Sequence, residues 1–185
     1  MNTALLRSAL LYVSIAFFGS VASADTYTIV NTTTTEPANH ILRTEYRVQI
    51  GTNPLNQISI TRIRKDIADS QFRGPVLLMS ALNFDVRFYE IRQSGNYKSS
   101  WAGGLADDKF DVWVVDDRIN RGTVADCQNN VNDCSIMATW NSAARIADAE
   151  FARAMLAPHH PGVKPVIGGL VGGAELAAGG VDVGA

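Results

Sequence analysis

Three short stretches of this chain are close to continuously apolar: Pro75-Val76-Leu77-Leu78-Met79, Asp111-Val112-Trp113-Val114-Val115 and Lys164-Pro165-Val166-Ile167-Gly168. A strand with one face in water alternates polar and apolar residues, whereas a strand buried on both faces reads as an unbroken apolar run. Such strands occur mostly in parallel sheets covered by helices on each side. The intervals must therefore supply that cover. Between the first and second runs, the segment containing Phe84, Phe88, Tyr89, Trp101 and Leu105 can form a crossover helix. Between the second and third lies Trp140 to Ala157, closed by Pro158. There Ala143, Ile146, Ala147, Phe151, Ala154 and Met155 recur at helical spacing, which predicts that this stripe faces the sheet. Arg145, Asp148 and Arg153 fall outside it, so Asp148 reads as a solvated charge. The pattern predicts βαβ units and a parallel sheet.

Upstream, Arg43–Ile50 and Ile58–Ile63 alternate in the manner of half-buried strands, with Gly51-Thr52-Asn53-Pro54 between them as a turn. They predict an antiparallel hairpin leading into the parallel sheet. Asp25 to Asn39, with its threonine run at 32–35, reads as an exposed polar arm, and His40 as an exposed residue without a role. The first 24 residues have the build of a secretory signal peptide: Arg7, an apolar run from Ala9 to Phe18, and a small-residue site at Ala22-Ser23-Ala24. The expected organisation is a leader at 1–24 and one domain at 25–185, secreted or periplasmic. Net charge is −2, with basic and acidic residues interspersed. That argues against nucleic acid or an anionic membrane as the main partner. No later segment is apolar for long enough to span a bilayer. In an exported chain, Cys127 and Cys134 predict a disulfide closing a small polar loop, with free thiols as the other reading. Two thiols without neighbouring ligands make a poor metal site, and no metal or cofactor is expected.

In open parallel sheets, ligands bind outside the carboxyl ends of the strands. Three segments lie there: Ser80-Ala81-Leu82-Asn83, Asp116-Asp117-Arg118 and Gly168-Gly169-Leu170-Val171-Gly172-Gly173-Ala174. The last approaches the strand–turn–helix frame Gly-x-Ser-x-Gly, whose glycines permit a sharp turn packed backbone against backbone. In the order they occur, these segments resemble the core of the α/β-hydrolase superfamily of lipases and esterases, from Arg43 to about Leu176. The resemblance implies a nucleophile at Val171 and an oxyanion hole formed by the backbone N–H groups of Gly172 and of Leu82. It also implies a small ester-like or lipid ligand. Valine has neither an ionisable proton nor a lone pair, so it cannot form an acyl-enzyme. The superfamily places its acid and histidine after the nucleophile, and the chain reaches Ala185 without another histidine. The fold expected is thus the N-terminal part of an α/β-hydrolase, truncated after the elbow and inactive as given. Its strand around Val166 and Ile167 would be an edge open to self-association.

Other residues do not replace the missing groups. His159 and His160 precede the third run, at its amino end, and read as turn residues. Asp116 and Asp117 stand at the carboxyl edge but read as a turn capped by acid–arginine pairing. Two rival functions use the same segment. A non-catalytic pseudo-hydrolase would bind an ester-like ligand without turning it over. A dinucleotide-binding domain would need Gly-x-Gly-x-x-Gly, but its middle glycine is Leu170 here.

Overall fold

The structure, a computed structural model, describes residues 26–81, 84–120 and 134–169. Residues 1–24, expected to be a leader, and Leu82, Cys127, Val171 and Gly172 lie outside the described residues. Six strands form one mixed sheet: β1 (Tyr27–Ala38), β2 (Ile41–Ile50), β3 (Gln57–Lys65), β4 (Gly74–Met79), β5 (Phe110–Val115) and β6 (Val166–Gly169), in the spatial order β1-β2-β3-β5-β4-β6. β1 to β3 form an antiparallel meander, and β3 pairs antiparallel with β5. β4 lies between β5 and β6 and runs parallel to both. Among the described residues, two helices cover the sheet, α1 (Trp101–Asp107) and α2 (Ser142–Leu156).

The apolar runs have a direct explanation in the packing. Side chains alternate across a strand, and here each face meets a different core. Leu77, Met79, Trp113 and Val115 join Val48, Ile50, Ile58 and Ile60 beneath Ala149, Ala152 and Leu156 of α2. Val76, Leu78, Val112 and Val114 join Ile41 and Ile63 beneath Ala102 and Ala106 of α1. Helix α1 is short and is started by Ser100, whose Oγ accepts from the Gly103 N–H at 3.0 Å. Gly103 must be glycine, because a Cβ there would collide with the Tyr97 carbonyl. Helix α2 is capped by Asn141, whose Oδ1 accepts from the Ala144 N–H at 3.1 Å.

Two expectations are corrected. The polar arm is strand β1, paired to β2 through a tight turn at Asn39-His40, with His40 exposed at positive φ. It lies at the sheet edge, where α2 reaches it at Tyr27, so neither face is buried over most of its length and no alternation marks it. Threonine favours extended backbone and keeps such an edge polar. Helix α2 is also rotated somewhat from its predicted phase, for Phe151 and Met155 of the predicted stripe pack on the core but the small residues of the stripe do not. Asp148, Ala149, Ala152 and Leu156 are buried, whereas Ala143, Ala147 and Ala154 are exposed. Asp148 is not a solvated charge but is buried at the sheet, where Arg118 draws it in.

Candidate functional site

The chain leaves β4 toward the face of α1 and leaves β5 toward the face of α2. Connections that diverge from adjacent parallel strands open a crevice at their carboxyl ends, where α/β proteins place their ligands. Here that edge is formed by Ser80-Ala81 after β4, Asp116-Asp117-Arg118 after β5, and the end of β6. Gly168 and Gly169 of β6 lie opposite Leu78 and Met79. A Cβ on Gly168 would stand 3.3 Å from Leu78 Cδ2, so glycine lets this strand sit closely on its neighbour as it enters the predicted elbow. The elbow residues Val171 and Gly172, and Leu82 of the opposing loop, lie outside the described residues.

Beneath this edge is a closed polar network. Arg118, 2% exposed, donates from Nε to Asp148 Oδ2 at 2.8 Å and from Nη2 to Oδ1 at 2.7 Å. Its third donor, Nη1, reaches Asn56 Oδ1 at 3.0 Å, and Tyr27 OH donates to Asp148 Oδ1 at 3.0 Å. Burial raises the Asp148 carboxyl above the ordinary carboxylate value, against the pull of Arg118 and Tyr27, and the nearby Asp117 charge adds to the rise. Arg145 stands with Nε 2.8 Å from Asp117 Oδ2 and donates from Nη2 to the Ser80 carbonyl at 2.9 Å. Ser80 Oγ donates to Asp116 Oδ1 at 3.0 Å. The cavity among Ser80, Asp116, Asp117, Arg145 and Asp148 is about 10 Å³, too small for a ligand larger than water. Asp117 is thus paired with an arginine, but with Arg145 of α2, and Arg118 likewise pairs across to α2 rather than within its own turn, while Asp116 accepts from Ser80.

Space for a ligand lies beside this network. A groove of about 380 Å³ is lined by Phe84, Phe88, Ile91, Asp85, Arg87 and Asn120. Asn120 Nδ2 donates to the Phe84 carbonyl at 2.8 Å, tying the turn after β5 to the loop after β4. Phe84 is 46% exposed and Ile91 63%, leaving an apolar patch next to the carboxyl edge.

The histidines lie at the opposite end of the strands, as predicted, but they are more than turn residues. His160 is buried with Nε2 2.8 Å from Asp111 Oδ2, while His159 contacts Asp69 and Arg62. Sequence reasoning missed this cluster and the Arg118–Asp148 pair. The available signal was Asp111 at the head of an apolar run, since a buried carboxylate needs a partner. Cys134 opens a short 3-10 turn, Cys134–Thr139; its expected partner, Cys127, lies outside the described residues.

Comparison with known proteins bears on the fold. No protein family and no curated protein matches the sequence. Among solved structures, the chain is similar to a putative lipase from Sulfolobus solfataricus, with a TM-score of 0.59 over 80% of this chain and 15% sequence identity. The chain spans 44% of the length of that protein. The architecture is thus an α/β fold of lipase-like form.

Proposed function

We propose that this is an exported protein of esterase or lipase ancestry, belonging to the α/β-hydrolase superfamily, that binds an ester-like or lipid ligand and does not hydrolyse it. The observation that carries this reading is β6 running parallel into Gly168-Gly169 against Leu78, at the carboxyl edge of a lipase-like sheet. That is where a nucleophile elbow would stand, and Val171 is the residue at its apex. Valine supplies no nucleophile whatever else the protein contains. The N–H groups of Gly172 and Leu82 would remain as donors to an ester carbonyl, and the groove at Phe84, Phe88 and Ile91 would take an apolar chain. Export rests on the leader at 1–24, and a Cys127–Cys134 disulfide on that export. Val166, 65% exposed on β6, is the surface through which we propose any self-association.

The test is an assay of the purified mature chain with p-nitrophenyl butyrate, paired with an amide NMR titration by ethyl butyrate. The expected outcome is no turnover above background together with saturable shifts at Phe84, Phe88 and Ile91. Turnover that a serine-directed inhibitor abolishes would overturn the non-catalytic reading, and an unperturbed groove would overturn the ligand assignment.

A further inference from the structure

We infer that the cavity at the amino-terminal end of the parallel strands is a second, separate site, which takes a small neutral molecule with a hydroxyl donor on an apolar ring, of the phenol class. Its volume of about 490 Å³ falls within the range of about 300–1,000 Å³ usual for small-molecule sites. Phe72, Pro158, Pro161 and Val163 form apolar walls, and His160 is a polar group set among them.

His160 is held by a buried scaffold. Asp111 is fully buried at the start of β5 and is gripped by Arg62, whose Nε donates to Oδ1 at 2.9 Å and Nη2 to Oδ2 at 2.8 Å. The His160 side chain, 6% exposed, places Nε2 2.8 Å from Asp111 Oδ2. A carboxylate can only accept, so Nε2 carries the proton and Nδ1 keeps its lone pair. Phe72 meets the imidazole edge to face at 6.0 Å between ring centres, which further fixes its orientation. Nδ1 makes no hydrogen bond among the described residues and is not sealed from solvent. A nearly buried acceptor, fixed in direction on the wall of a cavity, is completed by a ligand that donates.

The charges make that donor a neutral one. The two carboxylates of this end, Asp69 and Asp111, are matched by the guanidinium groups of Arg62 and Arg64. Asp69, on the rim, is engaged by Arg64 at 3.2 Å, His159 at 3.3 Å and Arg62 at 3.6 Å. Arg73 borders the cavity, but its guanidinium lies over the Phe110 ring, 5.0 Å from the centre. Phe110 packs on the α1 core, so this charge is turned to the face of the sheet opposite Asp111. An anion would therefore meet Asp69 and find no cation to receive it. A cation would find Asp69 already engaged and the charges of Arg62 and Arg64 beside it. A phenolic O–H is a neutral donor on a flat ring, which suits both Nδ1 and the walls of Phe72 and the prolines. This site lies at the other end of β5 from the groove at Phe84, so its fate is independent of the hydrolase reading.

The experiment is an NMR titration of the full mature chain with phenol, read at the backbone amides and at the histidine ring nitrogens. Anisole, sodium benzoate and benzylammonium chloride are run in parallel. Phenol should shift Gly74, His160 and Val163 saturably and move the His160 Nδ1 resonance upfield, as accepting a hydrogen bond does. Anisole, which keeps the ring and its oxygen but has no O–H, should bind about tenfold more weakly, as should both ions. His160→Gln keeps an N–H for Asp111 at the Nε2 position and removes the acceptor at Nδ1, so it should weaken phenol by about the same factor. If that variant does not fold, phenol against anisole on the wild-type chain decides the matter alone. Absence of saturable shifts, an unmoved Nδ1 resonance, equal binding of anisole, tighter binding of either ion, or undiminished binding to folded His160→Gln would each overturn the assignment.

Discussion

At each end of the parallel strands an aspartate is buried against an arginine, and the two ends treat that buried charge differently. At the carboxyl end the cluster closes on itself. Arg118 spends its donors on Asp148 and Asn56, Tyr27 completes Asp148, and Arg145 joins Asp117 to the backbone of Ser80. Little space is left inside. At the amino end, Arg62 and Asp111 orient His160, and His160 lines a cavity of about 490 Å³. A buried ion pair repays its desolvation only when its remaining donors and acceptors are satisfied. At Asp148 the closed cluster meets that condition and acts as a fastening between α2 and the sheet. The open cluster holds His160 and Arg62 in fixed directions on Asp111 but leaves one side of His160 beside open volume.

The comparison breaks most visibly if the fastening is cut. Asp148→Ala leaves Arg118 buried without its carboxylate, and we expect a loss of about 3–5 kcal/mol in urea unfolding, the usual cost of stranding one member of a buried pair. A loss below about 1 kcal/mol would show that the cluster does not hold α2. At the open end, burial pushes the Asp111 carboxyl up, but hydrogen bonds and charge from Arg62, with help from His160, bring it below its ordinary value. Its contribution is therefore fully present above the unfolded carboxylate value of about 4 and is lost as pH falls through the lower folded value. Unfolding curves between pH 6 and about pH 2 should fall more steeply for the wild-type chain than for Asp111→Asn; parallel curves would remove Asp111 from the acid limb. The smallest effect sharpens the account of the closed cluster. Tyr27→Phe deletes one hydrogen bond to Asp148 while keeping the ring stacked on Phe151 at 4.5 Å, and should cost about 1 kcal/mol by the same urea measurement.

How much of this was legible depended on whether a residue's environment is set locally. The buried strands β4 and β5 could be read because both of their faces meet helices, so the apolar run and the burial have the same cause. The β2–β3 hairpin was equally clear. β1 was missed because an edge strand exposed on both faces carries no periodicity. The phase of α2 was read only in part, through Phe151 and Met155, because the predicted stripe counted apolar residues, whereas the buried face is chosen partly by a charge, Asp148, whose partner comes from another part of the chain. His160 and Asp111 are likewise joined across 49 positions, and nothing local marks them as a pair. The carboxyl edge was located correctly from strand direction, while the amino-end cavity had no motif to announce it.

The bond between Tyr27 and Asp148 spans 121 positions of sequence. β1 can zip onto β2 early through the short turn at His40, since a small loop closes at little entropic expense. Its anchoring to α2 must wait until the intervening sheet has assembled and the helix has docked. Contacts of such separation delay folding, and until this one forms the first strand is held by its hairpin alone. Strand β1 is in this sense completed last, by a residue that helix α2 brings to it.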